Sequence, residues 1–210
     1  MDGQTFAPGT SFHLDVHLFD LRDPGAVHFV NAFSLHRRAR LTLVEQLDAG
    51  DRLLGRIWEG GKCASLFEPA SVPLAANGPV SSLGIRFLSP TELKCHGGLA
   101  ERPEFPVLFG RIRDRISTLR ALYGDGPLEI DFREMAARAS TIEMTRCQVT
   151  SARTERRSSR TGQVHPLGGF MGEAEYRGDL GEFLPYLRAA CWTGVGRQTV
   201  WGKGEIALVA

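Results

Sequence analysis

Alternating and recurring apolar positions in the first third of the chain predict three strands and one helix. Between residues 12 and 18 the sequence F-H-L-D-V-H-L has the two-residue period of a half-buried strand. Asp23-Pro24 supplies an N-cap and a first-turn proline for a helix that is expected to run to about Arg38. Further strands are predicted at 41–47 and, with a weaker pattern, at 52–58.

From residue 82 onward the pattern predicts a regular alternation of strands and helices. The predicted elements are a strand at 82–88, helices at 105–123 and 132–139, strands at 144–153 and 164–176, a helix at 180–191 and a strand at 205–209. Setting the short second helix aside, this is the β-α-β-β-α-β order of an α+β, ferredoxin-like (RRM-like) unit. We therefore expect a partial ferredoxin-like unit in 1–60, a connector in 61–81 with a short strand near 65–67, and a complete unit in 82–210.

Composition narrows the class of protein. The 210 residues are 42% hydrophobic and 23% charged, with a net charge of +1, which does not describe a uniformly basic nucleic-acid binder. No apolar run is long enough to span a membrane, and the first residues have no basic leader, so the expected location is the cytoplasm. The four cysteines form no C-x-x-C pair and are expected to be small buried hydrophobes.

A glycine-rich segment precedes the last predicted strand. Residues 194–204 read G-V-G-R-Q-T-V-W-G-K-G, so that two G-x-G pairs, Gly194/Gly196 and Gly202/Gly204, enclose five residues. Backbone N–H groups in such a loop can form a concavity for an anion, to which Arg197 and Lys203 add positive charge. The segment is not a dinucleotide-binding fingerprint, because it follows a helix and precedes a strand. A glycine-rich hairpin with a purely structural role is the alternative.

Several segments together resemble a known family. A helix, a G-x-G turn, five residues, a second G-x-G and a closing strand are similar to the signature of the CRISPR repeat-processing endoribonucleases of the RAMP superfamily. The resemblance extends to residues 85–93, to the hairpin segments 165–172 and 176–180, and to 184–188; a weaker similarity covers 6–19. It includes roughly the last 130 residues of the chain.

The resemblance implies an activity. Such enzymes cleave the repeats of CRISPR transcripts by attack of the RNA's own 2′-hydroxyl, so neither a metal nor another cofactor is implied. The expected partner is CRISPR repeat RNA, with other CRISPR effector subunits and a homodimer as further options. A non-catalytic RAMP subunit that keeps the guide RNA in an interference complex is the second hypothesis.

The catalytic residues are expected near the end of the first helix. The resemblance implies a strand-helix-strand before the first predicted strand, with a catalytic histidine on its helix in many relatives. The chain is therefore expected to be either a fragment or a short form in which its own first helix substitutes. In the second case His36 is the candidate acid or base, with Arg38 beside it; a solvated histidine at a helix end is the alternative.

Positive charge is concentrated between the two strands predicted at 144–153 and 164–176. The four arginines of the segment 153–160 are the preferred RNA contacts, because guanidinium groups bind phosphates in a bidentate manner, and His165 lies in the same predicted hairpin. The full set of predicted RNA-binding residues is Arg153, Arg156, Arg157, Arg160, His165, Gly194, Gly196, Arg197, Gln198, Gly202, Lys203 and Gly204. The alternative for the arginines is a solvated loop without a ligand.

One pattern suggests a different class of protein. His13, Asp15 and His17 fall on the same face of the predicted strand, about 7 Å apart for each step of two residues. A metal-dependent enzyme that uses these three side chains is the third hypothesis, and ordinary polar alternation on a solvated face explains the pattern equally well.

Overall fold

The computed structural model describes residues 6–19, 25–34, 40–48, 52–63, 71–75, 78–152, 155–157, 164–166 and 168–209. For 155–157 and 164–166 the description concerns the backbone. Over these residues the protein has a mixed α and β fold with antiparallel sheets. None of the helices in these ranges is both long and apolar enough to cross a membrane.

The first part of the chain forms one helix and a small sheet. Helix α1 spans Gly25–Ser34, and strands β1, β2 and β3 form an antiparallel sheet in that order. The strands are Leu43–Leu47, Leu53–Glu59 and Lys62–Cys63. The helix and the sheet share a small core, which consists of the buried residues Val30, Ile57 and Trp58. The predicted helix and the strands at 41–47 and 52–58 are thus confirmed within the described residues, whereas the short strand near 65–67 lies outside them.

The strand predicted at 12–18 is wrong. Residues 11–19 have no regular secondary structure, and the apolar side chains at 12, 14, 16 and 18 are between 41% and 49% exposed. Alternation predicts a strand only where a neighbouring strand pairs with the backbone and a second layer covers the apolar face. Neither is provided for this segment by the described residues.

The rest of the chain is built around a four-stranded antiparallel sheet. Its strands are β4, β7, β10 and β11, and their order across the sheet is β11-β4-β10-β7. Helices α2 and α3 follow β4, and helix α4 lies between β10 and β11. Two short pairs, β5/β6 and β8/β9, complete the set. The bounds are β4 Ser82–Thr91, β5 Lys94–Cys95, β6 Gly98–Leu99, α2 Phe105–Tyr123, α3 Phe132–Ala139, β7 Glu143–Ala152, β8 Glu155–Arg157, β9 Val164–Pro166, β10 Gly169–Arg177, α4 Leu184–Thr193 and β11 Ile206–Val209.

Local signals explain where the two middle helices begin and end. Helix α2 has a proline in its first turn and ends where the N–H of Gly124 donates to the carbonyl of Arg120. Helix α3 begins after Asp131, whose carboxylate accepts hydrogen bonds from the backbone N–H groups of Arg133 and Glu134, both at 2.9 Å. Both helices match the sequence-based prediction.

The core lies between the sheet and helices α2 and α4. An aromatic cluster joins the two helices to β10, with Phe105 packed edge-to-face against both Tyr176 and Phe183. The hydroxyl of Tyr176 donates a hydrogen bond to the carbonyl of Pro103 at 2.7 Å. Burial raises the pKa of this phenol, so it stays a neutral donor.

Three predicted boundaries differ from the structure. Strand β4 continues beyond residue 88 to Thr91, which pairs with Phe170 on β10. Helix α4 begins at Leu184 rather than at 180, because residues 181–183 form a turn. The long strand predicted at 164–176 is divided into β9 and β10, and β9 pairs with β8, which lies in the predicted loop, so that Arg156 is opposite His165. All three differences depend on pairing or packing with distant residues, which a local period does not report.

Candidate nucleic-acid interface

The glycine-rich loop connects α4 to β11 and packs against the end of β4. All four of its glycines have positive φ angles, 67° at Gly194, 85° at Gly196, 80° at Gly202 and 73° at Gly204. A Cβ at Gly196 would collide with the Glu92 carbonyl oxygen, and one at Gly204 with the Val195 carbonyl oxygen. Gly196 and Gly204 are therefore required by the close approach of two backbones within the protein.

Many N–H groups of this loop already have acceptors in the protein. The N–H of Val195 donates to Gly204, that of Arg197 to Glu92 and that of Gly204 to Pro90, with donor–acceptor distances of 2.8, 3.0 and 3.2 Å. Those of Trp201 and Gly202 close the single 3-10 turn at Thr199–Trp201. The N–H groups that were predicted to form an anion-binding concavity thus largely donate hydrogen bonds that stabilise the fold of the loop. Its contact with phosphate stays a prediction.

Lys203 is buried inside the loop rather than presented on its surface. Only 4% of the residue is exposed, and its ammonium donates to Glu92 Oε1 at 2.8 Å, to the Gly168 carbonyl at 2.6 Å and to Gln198 Oε1 at 3.0 Å. An ammonium has three N–H donors, so all of them are occupied. A direct contact of Lys203 with a phosphate would require these bonds to break.

The exposed part of the loop lies at its tip. The Arg197 side chain is 47% exposed and its guanidinium lies 3.4 Å from Glu92 Oε2. Val200 and Trp201 follow it in the chain and are 84% and 44% exposed. An arginine and an indole on one short loop suit a nucleotide, since the guanidinium pairs with phosphate and the indole can stack on a base.

The second candidate element is the extension of the β7/β10 hairpin by β8 and β9, here called the arginine hairpin (residues 152–168). Its base adjoins the glycine-rich loop, because the Gly168 carbonyl accepts the hydrogen bond from Lys203. The backbone register places positions 156 and 165 opposite each other. Arg153 and Arg160 lie outside the described residues, and for Arg156, Arg157 and His165 only the backbone is described; their RNA contacts stay predictions.

The open face of the four-stranded sheet is not suited to stacking on bases. The aromatic residues of its four strands, Phe87, Phe170 and Tyr176, are all buried beneath the helices. Ion pairs occupy the solvent side instead: Arg86 lies 2.6 Å from Glu173 and Arg146 lies 2.7 Å from Glu175. A sheet that binds RNA in the RRM manner exposes aromatics there. The candidate interface is therefore the loop and the hairpin rather than the sheet face.

Comparison with known proteins decides the family. The family model described as "CRISPR-associated endoribonuclease Cas6" matches residues 85–206, more than half of the chain. The chain belongs to the Cas6 family. The matched region contains most of β4, both candidate elements and most of the core, which confirms the family predicted from the sequence. Among curated protein sequences, none matches the chain.

Several solved structures that are similar to parts of this chain carry the name Cas6. A partial Cas6-RT-Cas1–Cas2 complex is 14% identical over 90% of this chain and 34% of its own, with a TM-score of 0.55. A Cas6 product complex is 21% identical over 64% of this chain and 53% of its own (TM-score 0.47), and a Thermus thermophilus Cas6 is 22% identical over 64% and 55% (TM-score 0.47). This Cas6-family chain thus spans about half the length of the latter two proteins.

The predicted catalytic residues of this Cas6-family chain are not placed by the structure. His36 and Arg38 lie between Ser34 and Arg40, outside the described residues. Their roles stay predictions.

The metal hypothesis is wrong for the three residues that suggested it. His13, Asp15 and His17 are all described, and within the described part of the chain no three His, Cys, Asp or Glu side chains converge to hold a metal. His17 is engaged elsewhere: its Nδ1 lies 2.8 Å from the Trp192 carbonyl, and its ring packs edge-to-face on the indole of Trp192. The absence of the predicted strand removes the geometry on which the hypothesis depended.

Proposed function

We propose that this chain processes CRISPR precursor RNA, binding the repeat and cleaving it through the RNA's own 2′-hydroxyl. The observation that carries the proposal is the match to the Cas6 family over residues 85–206. The arginine hairpin and the exposed tip of the glycine-rich loop, which share a junction at Lys203, would hold the RNA backbone.

The fold supports this proposal. The order β-α-β-β-α-β with strands arranged β11-β4-β10-β7 matches a ferredoxin-like unit over 82–209, with α3 as an insertion. We extend the proposal to residues 1–60 as part of a second unit of the same kind. Such a pair would present two surfaces to one RNA, of which the C-terminal one carries the binding elements described above.

The proposed chemistry requires a base, an acid and positive charge. A base takes the proton of the 2′-hydroxyl while the 2′-oxygen forms a bond to phosphorus. An acid protonates the departing 5′-oxygen as the bond between phosphorus and that oxygen breaks. The products are a 2′,3′-cyclic phosphate and a 5′-hydroxyl. We assign one of the two proton transfers to His36 and stabilisation of the phosphate charge to Arg38. In this scheme no metal takes part.

The test is incubation of labelled repeat RNA with the full chain in EDTA, followed by analysis of the product ends. The expected result is a cyclic phosphate with the parent chain and a rate at least about 100-fold lower with His36→Ala. His28→Ala is the matched control, since His28 is an exposed histidine on α1, and it should cleave at the parental rate. Equal rates for all three proteins would remove His36 from the mechanism.

A non-catalytic role is the second candidate. It is favoured by the likeness of 90% of this chain to 34% of a protein in a partial Cas6-RT-Cas1–Cas2 complex. In that case the chain would hold guide RNA together with other effector subunits, or as a homodimer. Tight binding of repeat RNA without any product in the same assay would establish this role.

A further inference from the structure

Lys203 occupies a position that a hydrophobic residue would normally fill. The loop contains two G-x-G pairs whose central residues are Val195 and Lys203, and both are buried, with exposures of 0% and 4%. Burying an ammonium costs several kcal/mol unless it is well paired, and an apolar replacement is often equally stable. Stability alone therefore does not explain why Lys203 is buried and paired with Glu92.

The three acceptors of Lys203 belong to three different segments. Glu92 follows β4, Gly168 closes the arginine hairpin, and Gln198 lies in the exposed tip of the glycine-rich loop. Gln198 has a φ angle of 61°, a left-handed conformation that is unusual for a residue with a side chain. Its bond to Lys203 contributes to holding the tip in this conformation.

We propose that Lys203 is a positioning residue that fixes the tip of the glycine-rich loop relative to the arginine hairpin. The proposal rests on the proposed function, because its consequence is that the loop tip and Gly168, at the base of the arginine hairpin, already have a fixed relative position when RNA binds. A surface that is already ordered loses less conformational freedom on binding than two independent loops. Lys203 would therefore act on RNA affinity without touching RNA.

The test requires a variant, called the junction variant, that lacks the Lys203–Glu92 ion pair but keeps the fold. Replacing both partners, Glu92→Met with Lys203→Met, leaves no unpaired buried charge and is expected to preserve the melting temperature. The matched control is Arg138→Met with Glu182→Met, which removes an exposed ion pair with a 2.7 Å separation on α3 and the turn before α4. If the buried double variant does not fold, Gln198→Asn replaces it, since Asn tolerates the left-handed conformation but is too short to reach Lys203.

Two measurements report on positioning rather than on stability. The first is hydrogen exchange of the free protein, in which the amides of Arg197 and Gly204 should exchange at least tenfold faster in the junction variant than in the control. The second is a double-mutant cycle of repeat-RNA affinity with Trp201→Ala and Arg156→Ala. In the parent the two substitutions should be coupled by a factor on the order of five, and in the junction variant they should act independently.

Each outcome decides a different claim. Faster exchange together with loss of coupling supports the inference. RNA binding with unchanged exchange and unchanged coupling in the junction variant overturns the inference and leaves the proposed function standing. A parent chain that binds no repeat RNA at low salt overturns the proposed function, and the inference with it.

Discussion

The two ends of this chain differ in how much apolar surface they bury. In the described residues from 78 to 209, a continuous core takes in helices α2, α3 and α4 and the four strands of the main sheet. In those from 6 to 63 the buried core consists of Val30, Ile57 and Trp58. Large hydrophobic residues remain exposed there, namely Phe6, Phe12, Leu14, Val16, Leu18, Phe33, Leu43, Leu47 and Leu53.

The two activities of the proposed function, RNA binding and RNA cleavage, are assigned to these two different regions. The RNA-binding elements are attached to the well-packed region, whereas the predicted catalytic residue His36 belongs to the region with the small core. Binding and cleavage should therefore respond to different substitutions. A substitution that destabilises the N-terminal region with the small core is expected to reduce RNA cleavage before it reduces RNA binding.

The largest effect is expected for a matched pair of isoleucines. Ile112→Ala in the main core should lower the free energy of unfolding by about 3 to 5 kcal/mol, since the cavity is enclosed on all sides. Ile57→Ala lies in the small core, where neighbouring side chains can collapse into the space, and should cost about 1 to 2 kcal/mol. Urea unfolding followed by circular dichroism measures both, and equal costs would contradict the comparison.

A smaller effect is expected at the glycines of the loop. Gly196→Ala places a Cβ against the Glu92 carbonyl oxygen at a positive φ angle, so we expect a loss of about 3 kcal/mol. Gly202→Ala is the control: its φ angle of 80° is similar, but nothing lies within 4 Å of the added Cβ, and about 1 kcal/mol should be lost. Thermal unfolding compares the two, and the proposed close packing is wrong if they cost the same.

The N-cap of α3 should contribute less. Asp131→Ala removes the acceptor of two backbone N–H groups and is expected to lower stability by about 1 kcal/mol. Asp131→Asn keeps a side-chain oxygen in the same place and should stay close to the parent. A loss of equal size with Asn would mean that the negative charge, rather than the cap, stabilises the helix.

The smallest effect is expected on the open face of the sheet. Arg86 and Glu173 are paired there, but their side chains are 50% and 40% exposed, so solvent screens the interaction. Arg86→Gln should change stability by about 0.5 kcal/mol or less and leave repeat-RNA affinity unchanged. A marked loss of RNA binding would place the interface on the sheet face and contradict the assignment made above.

What the sequence predicted correctly depends on local signals. Helices α2 and α3 have an apolar stripe or a capping residue within a few positions, so their bounds agree with the pattern. The segment 12–18 has an equally clear period, yet it forms no strand, because a strand depends on a partner elsewhere in the chain. Strand β8 was missed for the same reason, and the predicted strand at 164–176 is divided into β9 and β10.

The candidate site was predicted in part. The glycines 194, 196 and 204 identified the loop, but at two of them a side chain is excluded by the protein itself: a Cβ would collide with Glu92 at Gly196 and with Val195 at Gly204. The Lys203–Glu92 pair joins residues 111 positions apart, so the local sequence pattern does not predict it. One signal was present: Lys203 stands between two glycines as Val195 does, which indicates a buried position.

The most direct test of the central claim is the salt dependence of repeat-RNA affinity. Two variants of the full chain are compared with the parent, each with four arginines replaced by glutamine, so that their net charges are equal. The hairpin variant changes Arg153, Arg156, Arg157 and Arg160, and the control changes Arg52, Arg86, Arg138 and Arg146.

We predict that the hairpin variant binds more weakly and that its plot of log affinity against log salt is less steep by about three. The control should keep the parental slope, since its arginines are paired with carboxylates of the protein. Equal slopes for the hairpin variant and the parent would contradict the claim that the arginine hairpin binds the RNA.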